Sequence, residues 1–458
     1  MPRRARNDRL RALLTTAQWS YDNLARTVNM AGAESGLRLR YDRTAVAHWL
    51  SGSCPRAEVV LLIAEVLTRR LGRPVTRTEL GFAVTMAEEE AAGSAGALTV
   101  LADLVRTDLS VVGRGRLARS VYRLDVLAVP MWPERAAEDR RHDRPTWRTS
   151  GTVGMAQHMV RVFAAANHQF GSGHARTALT TYLADDILPQ LAGGNSDADH
   201  HELLGSVLDL TLLTGFACFD SNEHGLGQQY YRIALDLAVL ILDPVRYAIV
   251  LRALSLQACH LGHGTAALGL ALAALTVGDR HVEPHTSAFL HAQVSLSYAV
   301  LGRSQAALAA HQRARENLRR ATGARPVFGS YNRGELNYHA ASIHVFDGDI
   351  AGAVTALRRA LRHYPPGERR SLALTLAELA ERQLDLGLLS RACTVTHRFL
   401  DVYPGLRSGR VTAALEDLRK RLQTFGRHPE ARVLIQRCAA VHGPAPMAQA
   451  FDPATRRA

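Results

Sequence analysis

The stretch Leu301-Gly302-Arg303-Ser304-Gln305-Ala306-Ala307-Leu308 decides the fold. A glycine closes one helix, and small apolar residues open the next, where two helices must approach closely. The same turn recurs as Leu261-Gly262-His263, Asp347-Gly348-Asp349 and Leu386-Gly387-Leu388. Asp220-Ser221-Asn222 fits the same slot, because asparagine also tolerates a left-handed turn. Positions 222, 262, 302, 348 and 387 are spaced by 40, 40, 46 and 39 residues. Ala266-Ala267-Leu268, Gly352-Ala353-Val354 and Arg391-Ala392-Cys393 follow the other glycine turns. A helix-turn-helix period without β-alternation predicts an α-solenoid. Asn222, Gly262, Gly302, Gly348 and Gly387 are each expected to end the first helix of a pair in a left-handed conformation. Those first helices fall near 246–261, 286–301, 330–346 and 370–386. If they line a concave surface, Arg252, Gln257, His291, Gln293, Asn332, Asn337 and Arg382 are the candidates for holding a peptide or protein partner, with a second copy of the chain as a further candidate.

N-terminal to the repeats the pattern changes. Residues 43–56 contain Val46, Trp49 and Leu50 at helical spacing, then Gly52 and Pro55. An apolar helix follows over Val59–Leu71, and another amphipathic segment, with Ser20 as N-cap, precedes it. Thr76–Phe82 reads as a short fifth helix. Trp49 shares the Val46/Leu50 face and belongs to the core. Arg43, Thr44 and His48 point outward, as a helix in a DNA major groove requires. The candidate DNA face is Arg38, Arg40, Tyr41, Arg43, Thr44, His48, Ser53 and Arg56. Arginines on phosphates supply affinity, and a few base-edge contacts supply specificity.

The fold class expected is all-α, an N-terminal helix-turn-helix unit followed by a tetratricopeptide-like α-solenoid. The domains are 1–82 (DNA-binding), 83–150 (a helical linker region with a loop near 130–150), 151–445 (solenoid) and 446–458 (flexible tail). Ala97–Leu109 and Leu117–Val129 both have helical periodicity within the linker region. The net charge is +13 over 458 residues. Fourteen arginines against seven acids place +7 of it within residues 1–82, which favours a polyanionic partner at that end.

Five isolated cysteines fit a reducing compartment, and the N-terminus lacks the apolar core of a signal peptide. The uncharged stretch Gly264–Gly278 is shorter than a membrane span, so no membrane partner is expected. His281 and His285 share the i, i+4 spacing of metal ligands, but Pro284 breaks the helix that spacing needs. No metal or cofactor is expected. Without a phosphate loop, nucleophile elbow or dinucleotide fingerprint, no enzyme activity is expected either. Gly171-Ser172-Gly173-His174 offers a phosphate cradle, but no strand precedes it, and it reads as the start of a helix at Ala175.

Asp42–Arg56, with its recognition helix, Gly and Pro, resembles the Cro/C1-type, or XRE-like, helix-turn-helix. The repeats resemble tetratricopeptide repeats. Phe170–Ala184 and Ala217–Tyr231 resemble blocks in actinomycete regulators that join such an N-terminal unit to a repeat tail, among them negative regulators of differentiation and antibiotic production. The resemblance implies a cytoplasmic transcription regulator of secondary metabolism or sporulation that binds double-stranded DNA. The competing reading is a protein-interaction scaffold that binds no DNA.

Overall fold

The computed structural model describes residues 6–82, 96–127, 129–134, 151–191, 197–278, 280–323, 326–328 and 331–442. Among the described residues every regular element is helical. The expected tail over 446–458 and most of the loop near 130–150 lie outside them.

Four helices form the N-terminal unit: α1 (Asp8–Ala17), α2 (Tyr21–Glu34), α3 (Arg43–Leu50) and α4 (Ala57–Leu71). Asn7, Ser20 and Asp42 each accept a backbone N–H in the first turn that follows, which satisfies donors a helix start leaves unpaired. Leu10, Leu14, Leu24, Val46, Trp49, Leu62, Ile63 and Leu67 close one core, with Trp49 only 4% exposed. Thr76–Phe82 is not a fifth helix but a series of turns. Side chains take the backbone groups there: Val75 N donates to Thr68 Oγ1 at 2.9 Å, Thr76 N to Glu79 Oε2 at 2.8 Å, and Asn7 Nδ2 to Leu80 O at 2.9 Å.

Within residues 83–150, the helix over 97–109 packs into the repeat core. Helix α5 (Ala97–Leu109) buries Leu101, Leu104 and Val105 in the cluster that contains Leu208, Tyr230 and Leu254. Helix α6 (Val111–Leu117) ends where a second helix was expected to begin. The chain beyond it runs without regular structure because Gln228 captures it: Arg123 N donates to Gln228 Oε1 at 3.0 Å, and Gln228 Nε2 donates to Arg123 O at 2.7 Å. A side-chain amide that imitates a backbone neighbour competes directly with the helix.

The array continues through α7 (Gly151–Phe170) and α8 (Ser172–Thr181), which runs on through a π-helical turn at Tyr182–Ile187. Antiparallel pairs follow: α9 (Asp197–Asp220) with α10 (His224–Leu240), α11 (Pro244–His260) with α12 (Gly264–Gly278), and α13 (Pro284–Val300) with α14 (Ser304–Arg320). Next come α15 (Arg333–Phe346) with α16 (Ile350–Leu361), α17 (Arg369–Asp385) with α18 (Leu389–Val402), and α19 (Gly409–Gln423) with α20 (Pro429–His442). The first helices stack in succession, α9 on α11, α11 on α13 and α13 on α15, so they form an inner layer. This is a tetratricopeptide-like solenoid. By length and composition α9 could cross a bilayer, but 89% of its apolar window is buried inside the protein, as in a core helix.

All five expected turn residues are left-handed: Asn222 at φ 63°, Gly262 at 84°, Gly302 at 68°, Gly348 at 78° and Gly387 at 70°. Each follows the end of a first helix. A Cβ at Gly302 would meet nothing within 4 Å, so backbone conformation alone sets the cost of replacing it. Gly302→Val should lose about 1–3 kcal/mol. Gly302→Asn should lose clearly less, because asparagine already occupies the equivalent turn. Urea unfolding of the two variants checks the ranking. Trp49→Ala should cost about 3–5 kcal/mol and unfold the N-terminal unit. A fully helical unit by hydrogen exchange would exclude its core role.

Candidate functional site

Helix α3 and its flanks carry the residues expected to meet DNA. Arg38, Arg40, Arg43, Thr44, His48 and Arg56 are exposed. No ion pair is formed by Arg38, Arg40, Arg43 or Arg56 among the described residues. Tyr41 is half-buried. Its ring packs edge-on against Trp49 at 5.1 Å, and Asn29 clamps its backbone from both sides at 2.8 and 2.9 Å. It buttresses the unit. Ser53 is half-buried, and its N–H closes the end of α3 on His48 O at 3.0 Å. Eight residues, 35–42, separate α2 from α3.

The opposite side of the unit is docked on the solenoid. His263, in the turn before α12, bonds through Nε2 to Glu65 Oε1 of α4 at 2.7 Å. Arg69 Nε donates to the same oxygen at 2.9 Å, and the Tyr122 ring stacks on His263 at 5.3 Å. Both members of the Glu65–His263 pair keep 2% of their side-chain surface exposed. A void of about 10 Å³ beside them is lined by Ala31, Glu34, Glu65, Tyr122 and His224. Glu65 Oε2, Tyr122 OH and His224 Nδ1 are buried there without a hydrogen-bond partner, and the space suits one water. Among the described residues none of α3 lines this void.

The solenoid closes on itself. Arg407 N donates to Phe170 O at 2.8 Å, and Gly173 N donates to Arg407 O at 2.8 Å. Asp220, with no exposed surface, accepts Ser408 Oγ at 2.8 Å and Ser172 N at 3.2 Å, and pairs with Arg370 at 3.4 Å. His168 and Glu368 meet at 3.0 Å. The Gly171-Ser172-Gly173 stretch serves this seam. A Cβ on Gly171 would sit 2.6 Å from Arg407 O. The helix starts at Ser172 rather than Ala175.

The first helices of the pairs share an inner face. Arg252 and Tyr338 each stand ten residues before their turn glycine, Phe289 and Glu335 thirteen before theirs, and Phe216 six before Asn222. Offsets differing by three, four and seven share one helix face. On that face Arg252 lies 3.8 Å over the Phe289 ring. Arg370 and Arg410 lie 4.8 Å over Phe216 and Phe219 respectively.

Several residues expected on the concave face are elsewhere. Gln257 and Gln293 have no exposed surface. Gln257 Nε2 donates to His224 O at 2.9 Å and Gln293 Nε2 to Ser255 Oγ at 2.9 Å, so both join neighbouring helices. His291 is 6% exposed, within the packing of α13. Asn332 is the N-cap of α15, in a reciprocal capping box with Glu335. Asn337 donates to Arg333 O of its own helix at 2.6 Å, and Arg382 pairs with Glu381 and Asp385 at 3.2 Å each. Arg252 alone of the seven lies over an aromatic ring of the inner face and forms no ion pair among the described residues. Phe289 and Tyr338 share that face without having been expected, and the turn-to-residue offset would have found them. Arg410 lies over Phe219, and nothing in the pattern points to it.

Desolvation dominates the electrostatics around this face. It pushes the Arg252 guanidinium down to about 10, against partial support from Glu335, and lowers Arg410 as well. It pushes Glu335 up to about 7, a shift that nearby Glu368 reinforces. His339, 7% exposed and joined through Nδ1 to Tyr331 OH at 2.8 Å, falls to about 3. Among the described residues no three His, Cys, Asp or Glu side chains gather as metal ligands.

Comparisons with known proteins add the following. The SP15 N-terminal domain family matches residues 10–83. No curated protein sequence matches the chain. Among solved structures, a Podosopora anserina protein of nearly identical TPR-like repeats, named for the kinesin light chain, aligns at 16% identity and a TM-score of 0.32, covering 43% of this chain and 96% of that one. A variant of the same protein aligns at 16% identity and a TM-score of 0.32, covering 43% and 95%. At that score the fold rests on the helix pairing described above.

The neutral His339 imidazole makes stability depend on pH. The unfolded chain takes up the proton below about 6.5 while the folded chain refuses it, so stability falls as pH drops below that value. Between pH 6.5 and 5 this amounts to about 2 kcal/mol. Glu335 acts in the opposite sense over the same range, so the readout is the difference between wild type and His339→Gln. Urea unfolding at pH 7 and pH 5 should show the variant losing about 2 kcal/mol less than wild type on acidification. Equal losses would remove the assignment.

Proposed function

We propose that the chain is a non-catalytic interaction protein whose solenoid takes a partner and whose docked N-terminal unit presents α3 to double-stranded DNA, making it a transcription regulator. The single observation behind the DNA reading is the division of the unit's surface. Its α4 side is committed to the solenoid through Glu65 and His263, while Arg38, Arg40, Arg43 and Arg56 stand exposed around α3 and form no ion pair among the described residues. Exposed guanidinium groups that form no ion pair among the described residues are what phosphate neutralisation requires. The resemblance to actinomycete regulators supports a cytoplasmic role in differentiation or secondary metabolism.

The second reading, a solenoid scaffold that binds no DNA, also has support. The eight-residue connection between α2 and α3 exceeds the 3–4-residue turn usual in helix-turn-helix readers, and helical solenoids present extended binding surfaces.

Fluorescence anisotropy of the full chain on double-stranded DNA separates the two. Binding should weaken steeply with added salt, and Arg40→Ala and Arg43→Ala should each cost about 1–3 kcal/mol without loss of helicity. Unchanged affinity in both variants on a natural target sequence would leave the scaffold reading in place.

A further inference from the structure

Charge in the C-terminal half of the solenoid is divided between its two helix layers. Each first helix is balanced: α13 carries no Arg, Lys, Asp or Glu, α15 sets Arg333 against Glu335, and α17 sets three arginines against Glu378, Glu381 and Asp385. The second helices are not balanced. Helix α14 carries Arg313, Arg315, Arg319 and Arg320 against Glu316, α16 carries Arg358 and Arg359 with no acid, and α18 carries Arg391 and Arg398 against Asp401. All eight arginines are exposed, and none forms an ion pair among the described residues, while Asp401 is taken by Arg437. Earlier in the array α10 sets Arg232 against Asp236, and α12 is uncharged. The basic residues also keep a register. Arg313, Arg359 and Arg398 each stand eleven residues after their turn glycines, Gly302, Gly348 and Gly387. Ala307, Ala353 and Ala392, five residues after the same glycines, have no exposed surface, so the three helices present equivalent faces. Ala307 packs with Ile343 of the next first helix, and Ala353 and Ala392 share one cluster with Ala341 and Ala373. The three second helices therefore follow one another on a continuous stack. Arg320 and Arg391 stand seven residues from Arg313 and Arg398, which keeps them on the same face.

We propose that the outer layer formed by α14, α16 and α18 docks the phosphate backbone of double-stranded DNA, with Arg313, Arg359 and Arg398 contributing once per repeat. This goes beyond the reading of α3 as a DNA reader, because it uses different residues and needs no base contact. A charge repeated at each step of a stack fits a linear polymer with evenly spaced charges of its own, and duplex DNA carries one about every 1.7 Å of axis. Arginines that no acid holds gain by displacing the counterions of such a polymer. Apart from histidine, the only aromatic side chain on the three helices is Phe399, which has no exposed surface. The layer thus offers no platform on which single-stranded bases could stack. The apolar residues argue against a membrane surface. Leu308 is exposed, but Val354 and Cys393, at the same offset from their glycines, are buried, so no apolar strip accompanies the arginines. An acidic protein would have to match the repeat spacing with its own carboxylates, whereas a duplex presents phosphates at every step.

Fluorescence anisotropy of the full chain on duplex DNA of arbitrary sequence tests this. The triple variant Arg313→Gln/Arg359→Gln/Arg398→Gln should bind about tenfold more weakly at low salt. It should also flatten the slope of log K against log salt by about 2–3, since each phosphate contact contributes about 0.9. A second triple variant, Arg161→Gln/Arg280→Gln/Arg427→Gln, removes the same charge from exposed positions outside these helices, and its salt slope should stay near that of wild type. Both variants should keep wild-type helicity and Tm, because exposed substitutions change stability little. Vesicles of phosphatidylserine and phosphatidylcholine, and poly-glutamate, are the competing probes. Four results would overturn the proposal: no binding to duplex DNA, wild-type binding by the first variant, equal weakening by both variants, or tighter binding of a competing probe that the first variant loses. The α3 reading is scored on a different readout, the preference for a natural target over arbitrary sequence. Arg40→Ala should reduce that preference and the first triple variant should not, so failure of one reading is distinguishable from failure of the other.

Discussion

Asp220 has no exposed surface, yet it accepts hydrogen bonds from Ser172 and Ser408 and pairs with Arg370. Those partners lie 48, 188 and 150 residues away in sequence. A buried carboxylate is tolerable only when its lone pairs are filled, so this residue holds three distant segments in one place. An open solenoid needs only neighbour contacts. Here the backbone pairing of Arg407 with Phe170 and Gly173 adds a non-local seam. Gly171 lets the backbones meet, since a Cβ there would collide with Arg407 O.

The docking of the N-terminal unit follows similar chemistry at smaller scale. Glu65 and His263 are almost fully buried against each other, with Arg69 on the same carboxylate oxygen. Once α4 is tied down in this way, the unit cannot turn freely, and the arginines around α3 take a fixed direction relative to the solenoid. The strap beyond α6, held by Gln228 and carrying Tyr122, reinforces that geometry. A partner that strained the α11–α12 turn would act directly on the contact, because His263 lies in that turn. Its influence could be no larger than its differential affinity for the docked and undocked arrangements.

Much was legible in the sequence because it depends on local physics. The left-handed turns at Asn222, Gly262, Gly302, Gly348 and Gly387 follow from the conformational tolerance of glycine and asparagine. The helix pairs follow from the period of those turns, and the core position of Trp49 from its spacing to Val46 and Leu50. The exposure of Arg38, Arg40, Arg43 and Arg56 was visible for the same reason. Where local propensity met a distant competitor it failed. Residues after Leu117 have helical periodicity but surrender their backbone groups to Gln228, 105 residues away, and Thr76–Phe82 gives way to Asn7, Thr68 and Glu79.

The partner face shows the same division. A polar residue on a first helix can face solvent, a neighbouring helix or a lumen, and the one-dimensional pattern is identical in each case. Gln257 and Gln293 were drawn into joints between helices, Asn332 into a cap, and Arg382 into pairs with its own acids. Arg252 lies over Phe289 of the next first helix, and Arg410 lies over Phe219, 191 positions before it in the chain. The sequence by itself determined the helices, their turns and the basic N-terminal face, since each rests on contacts within a few residues. Only the tertiary structure decided that the array closes, that the N-terminal unit is docked by Glu65 and His263, and which polar side chains are drawn into joints between helices, because each of those depends on burial produced by segments far apart in the chain.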